Sequence, residues 1–137
     1  MSLDVYLQVF ENGESAGISR NSVRKAFGVA FVSEPEPNRW EVRYDKQNSC
    51  DVFLSSHGPT KLEGFSINRP CGDLRLWDAL AFILTLGNVV FYFPGCKAAL
   101  VANLEVTRHL PRDMIATLGE PIVAGGGAEI LSAIQAA

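Results

Sequence analysis

At 137 residues the chain suits one domain, residues 1–137, long enough to bury about two thirds of the surface its unfolded form would expose. Its 47% hydrophobic and 20% charged residues are those of an ordinary globular protein, and its apolar runs are too short and interrupted to span a bilayer. A net charge of -3 and a pI near 5.3 weigh against general nucleic-acid binding, which needs clustered Lys and Arg to neutralise phosphates.

The opening MSLDVYL lacks a basic stretch followed by an apolar one, so a standard secretion signal is not indicated. Leu3, Val5, Leu7 and Val9 alternate with Asp4, Tyr6, Gln8 and Phe10, a first strand closed by the turn signal Asn12-Gly13. Ser19 is placed to cap a short basic helix carrying Arg20, Arg24 and Lys25, with Gly28 ending it. Gly28–Val32 then reads as a strand, and the prolines of residues 34–38 as a loop where no strand continues. Alternation at Trp40, Val42 and Tyr44 predicts another strand, pairing with Cys50–Ser55. A further one runs from Lys61 to Asn68 with a bulge near Gly64.

The most apolar stretch, residues 73–93, organises the rest. Leu76, Trp77, Leu80, Ile83, Leu84 and Gly87 mark a helix over 74–86, capped by Asp73, with Arg75, Asp78 and Thr85 on a narrow polar stripe. Gly87 is expected to end it before a fully buried strand, Val89–Phe93. Residues 97–106 fit both periods; the pattern favours a helix ending near Asn103. Pro111 and Asp113 start another helix that ends at Gly119, Pro121–Ala124 is extended, and Gly125–Gly127 turn into a last helix over 128–136.

The cysteines Cys50, Cys71 and Cys96 are odd in number, widely spaced and without a CxxC, which fits reduced thiols in a cytoplasm better than a disulfide framework. A Cys/His pair would have to come from these and His57 or His109. Cys50 and His57 sit nearest in sequence, yet seven residues of extended chain separate them by roughly 20 Å. No cysteine or histidine spacing marks a metal site, and no cofactor is implied. Asp45, Asp51 and Asp73 each occupy places where a turn, strand edge or cap wants an aspartate anyway. The strand-glycine-helix order at residues 122–130 could cradle a phosphate, but it lacks a GK[ST] continuation, and Glu129 would repel an anion.

Asn68-Arg69-Pro70-Cys71-Gly72-Asp73 is the stronger candidate, a constrained loop ahead of the most buried helix. Arg69 is the first side chain to test for binding, with Cys71, Asp73 and Arg75 beside it. Tyr6 and Phe10 share a face with Asp4 and Gln8 and are expected to be only partly covered, as on a partner-binding surface.

The order β-α-ββββ-α-β predicts an α+β domain: an antiparallel sheet of about five to six strands, helices mainly on one face, and additional C-terminal helices. In element order alone it resembles the TATA-binding-protein-like and ferredoxin-like folds, and fold analogy carries no function. The residues favour a small cytoplasmic interaction or ligand-binding domain without catalysis of its own, with an immunity-type protein that neutralises a partner as its concrete form. The rivals are a small hydrolase or group-transfer enzyme using the Arg69 to Asp73 loop with Cys50 or His57, and a homodimeric structural domain.

Overall fold

The computed structural model describes residues 3–137; Met1 and Ser2, the first residues of the segment read above for a secretion signal, lie outside the described residues. The chain is a mixed α+β fold. Its strands are β1 (Asp4–Glu11), β2 (Glu14–Ser15), β3 (Ile18–Ser19), β4 (Phe31–Glu36), β5 (Arg39–Asp45), β6 (Asn48–Ser56), β7 (Lys61–Asn68), β8 (Val89–Tyr92), β9 (Leu100–Val101) and β10 (Ile122–Val123). The helices are α1 (Arg20–Phe27), α2 (Leu74–Ile83), α3 (Arg112–Leu118) and α4 (Gly127–Gln135), with 3-10 turns at Gly28–Ala30 and Leu104–His109.

The sheet is larger than the five to six strands expected. Eight strands follow one another in the order β10-β9-β8-β1-β7-β6-β5-β4, with β2 on β1 and β3 on β7. The pairings are antiparallel except β9 with β10, which run parallel. The additional strands are two-residue pieces, too short to leave a period in the sequence.

Alternation along the long strands sends Val5, Leu7, Val52, Leu54, Phe65, Ile67 and Trp40 to one face, all buried in a core shared with Val23 and Phe27 of α1, Leu76, Trp77 and Leu80 of α2, and Ile130 of α4. Two side-chain caps set the helix starts: the Ser19 hydroxyl accepts from the Ser22 N–H at 3.1 Å and the Asp73 carboxylate from the Arg75 N–H at 2.9 Å. A smaller cluster on the other face, Phe10, Val90, Ala99, Val101, Val106 and Leu110, is roofed by the second 3-10 turn and by Met114, Ile115 and Leu118 of α3. Among the described residues, α1, α2 and α4 lie on one face and α3 covers the other at one end only.

Three segments depart from the sequence pattern. β4 continues through Pro35 because it is the outermost strand and, among the described residues, pairs with β5 alone, so the missing N–H costs no ladder bond in the sheet's middle. The preceding Gly28–Ala30 is a 3-10 turn. Residues 97–106 are a loop, β9 and the start of a 3-10 turn, not a helix: Leu100 and Val101 pair with β8 and β10 and are buried on both faces. α2 ends at Ile83, before Gly87, and a run of turns carries the chain to β8. Gly87 is small for another reason, since a Cβ there would meet Ile18 Cγ2 at 2.8 Å.

At Gly64 the β7–β6 register slips, as the broken alternation predicts. A Cβ at this position would run into the Leu7 carbonyl oxygen of β1, so only glycine lets the two strands close.

Candidate functional site

The loop from Arg69 to Asp73 joins β7 to α2 and divides into two halves. Arg69 takes a left-handed conformation, φ 50, uncommon for a residue with a side chain, and its N–H donates to the Leu3 carbonyl at 2.9 Å. Its backbone is thereby tied to the start of the central strand. Arg69, Pro70, Cys71 and Gly72 form one wall of an open cleft of about 660 Å³, completed by Leu3, Trp77 of α2 and Leu131 and Ile134 of α4. Trp77 is 2% exposed and its indole Nε1 has no hydrogen-bond partner among the described residues. The other tryptophan differs: Trp40 Nε1 donates to Glu34 Oε1 at 3.1 Å.

Asp73 and Arg75 belong to the other half. The Arg75 Nε donates to Asp73 Oδ1 at 2.9 Å and its Nη2 to Asp73 Oδ2 at 2.7 Å and to Asp45 Oδ2 at 3.2 Å, with the guanidinium 5.3 Å from the Tyr44 ring centre. Hydrogen bonds from Arg75, first from its side chain, pull the Asp73 carboxyl down to about 2. Because this group is depressed below 3.8 in the fold, its stabilising effect is present above that pH and is lost as pH falls towards 2. This half is a closed ionic clasp that leaves Asp73 little capacity for a ligand.

Beneath the clasp lie Tyr44 and Cys50. The Tyr44 hydroxyl is buried without a partner among the described residues, and its pKa is raised, first by burial and then by the thiols of Cys50 and Cys71. Burial likewise pushes the Cys50 thiol up to about 12, with the Cys71 thiol adding to it. Such a thiol is no nucleophile at neutral pH. Native protein treated with iodoacetamide at pH 8 is expected to modify Cys50 at least about tenfold more slowly than the unfolded chain does; mass-spectrometric mapping that finds Cys50 alkylated ahead of Cys71 would contradict this. The raised pKa also has a stability sign. The contribution is complete below pH 9.0, Cys50's ordinary value, and is lost as pH rises towards 12.

The histidines are elsewhere. His57 Nδ1 lies 3.4 Å from Glu63 Oε2 beyond the far end of β6, and His109 Nδ1 accepts from the Asn12 N–H at 3.2 Å. The cleft contains neither. Among the described residues, no group of three or more His, Cys, Asp or Glu is placed to hold a metal, and no helix is long and apolar enough to cross a membrane.

The open part of the second sheet face carries the remaining candidates. Register places Tyr92, Tyr6, Ser66, Phe53 and Arg39 in one row across five strands, and Asp4, Asn68, Asp51 and Glu41 in the next. Tyr6 stacks on Tyr92 at 5.3 Å between centroids, and the Tyr92 hydroxyl donates to Gln8 Oε1 at 3.0 Å. Phe53 is 37% exposed. Phe10, expected to be partly covered, is instead 9% exposed, because the second 3-10 turn and α3 close over its end of the face. Glu41 pairs with Arg43, whereas Asp4 and Asp51 make no ion pair among the described residues.

The glycine run before α4 is already engaged: the Gly127 N–H donates to Asp78 Oδ1 of α2 at 3.1 Å, so a carboxylate of the chain itself sits where a phosphate would. Sequence reasoning placed Trp77, Leu131 and Ile134 in the core only and Asp78 on a narrow polar stripe, without the bond to α4. The one available signal was the indole N–H of Trp77, a donor on a helix with few polar neighbours. Comparison with protein-family models, with curated proteins and with solved structures gives no match for this chain.

Proposed function

We propose that the chain is a non-catalytic interaction domain of the cytoplasm, of the immunity type, that docks a basic protein on the open face of its sheet. The observation that carries the reading is the face itself. Five strands, β8, β1, β7, β6 and β5, turn a row with Tyr92, Tyr6 and Phe53 and, from the last four of them, a row with Asp4, Asp51 and Glu41 towards a side that no helix of the described residues covers beyond the Phe10 end. Aromatic side chains with a polar tip are the groups that anchor protein interfaces, and the two carboxylates outside ion pairs select for Lys and Arg opposite. A Cys/His mechanism gains no support, since the Cys50 thiol is held protonated and His57 faces Glu63.

The test is native capture from the source lysate by wild type and by the double variant Asp51→Lys, Phe53→Ala. A single stoichiometric protein of basic pI is expected, retained at least about tenfold less by the double variant while the melting temperature stays within a few degrees. Equal retention by both proteins would sink the reading, as would capture of an acidic partner.

A further inference from the structure

We propose that the cleft beside Arg69 is a binding site for a small monocarboxylic acid with an apolar body. Its volume of about 660 Å³ falls within the range of about 300 to 1,000 Å³ typical of small-molecule sites. Leu3, Pro70, Trp77, Leu131 and Ile134 supply an apolar wall, drawn from β1, the loop, α2 and α4. Among the described residues lining it, Arg69 is the one that carries a charge, and none is a carboxylate. On its other side Arg69 borders a polar groove with Glu41 and Asp51 but makes no ion pair with either or with any other described residue, while the neighbouring Arg75 is engaged by Asp73 and Asp45. A single free guanidinium at an apolar cleft matches one carboxylate, which its planar fork binds through two parallel hydrogen bonds. A phosphate dianion would find only half its charge answered.

Two further features support a built site. The left-handed backbone at Arg69 is tied by the bond to Leu3, so the main chain from which the guanidinium extends is anchored to the residue that leads into the central strand. Trp77, nearly fully buried in the wall, keeps an unsatisfied indole N–H, a donor that folding has left without its usual partner.

The probe is sodium octanoate, followed by calorimetry and by the two tryptophan indole N–H resonances, assigned with Trp40→Phe. Saturable one-to-one binding is expected, moving the Trp77 resonance and leaving that of Trp40 in place. Octanol and octylammonium should bind at least about tenfold more weakly, because neither offers the guanidinium an anion. Arg69→Gly should weaken octanoate at least about tenfold without lowering the melting temperature, since glycine adopts a φ of 50 without steric cost. The Phe53→Ala protein should bind octanoate like wild type, since Phe53 lies on the aromatic row of the sheet and lines neither groove that Arg69 borders. Octanol binding as tightly as octanoate, undiminished binding by Arg69→Gly, or an unmoved Trp77 resonance would each overturn the proposal.

Discussion

Gly127→Ala is expected to destabilise the protein by about 3 kcal/mol or more, an unusually large effect for adding one methyl group. A Cβ at residue 127 would meet the Trp77 carbonyl carbon at 2.5 Å and press on the Asp78 main-chain nitrogen. Both atoms belong to the backbone of α2 and cannot swing aside. The first turn of α4 would have to lift, stretching the 3.1 Å bond from the Gly127 N–H to Asp78 and pulling Ile130, wholly buried, away from the core. Asp78→Ala separates the two contributions. It removes the acceptor and its charge without steric conflict and should cost about 0.5 to 2 kcal/mol, the usual value of a helix cap. Urea melts at neutral pH would read both. A Gly127→Ala protein within about 0.5 kcal/mol of wild type would show that α4 does not rest on α2 in this way.

Leu80→Ala should cost about 2 to 5 kcal/mol by a different route. Leu80 has no exposed surface and sits in the middle of α2, within the core shared by the sheet, α1 and α4. Truncation removes apolar burial and leaves a void that close-packed neighbours fill only in part. Alanine suits the helix itself, so the loss reports packing alone. A denaturant midpoint shifted by a negligible amount would mean that α2 is not the organising element.

Much of this fold was legible because period and caps agree. Ser19 and Asp73 cap the helices their positions promised, Lys61–Asn68 is a strand over the span its alternation marks, and Gly64 sits at its slip in register. What stayed hidden depends on neighbours. Pro35 forbids a central strand but not an outermost one, and nothing local says which strand lies at the rim. Leu100 and Val101 are a strand because β8 and β10 flank them, two residues being too few to express a period. The candidate loop was visible as a constrained turn carrying Arg69 and Cys71. Its division was not: Asp73 and Arg75 turn towards Tyr44 and Asp45, and the cleft is finished by α4, more than fifty residues further along. Phe10 and Tyr6, two turns of the same alternation apart, differ in cover because α3 and the turn before it reach only one of them.

The position of β1 bears on how the molecule comes into being. Val5 pairs with Ile67 and Leu7 with Phe91, which puts its partners β7 and β8, respectively, 62 and 84 residues downstream, while only the short β2 lies close by. During synthesis β1 leaves the ribosome before either of these neighbours, and its apolar face and the edges they cover wait for the intervening residues. Closing loops of that length comes before the reward from pairing with β7 and β8, so assembly should be slow for a domain of this size. A nascent chain stalled before Tyr92 would expose a sticky, unpaired strand, making such fragments natural clients for chaperones and proteases.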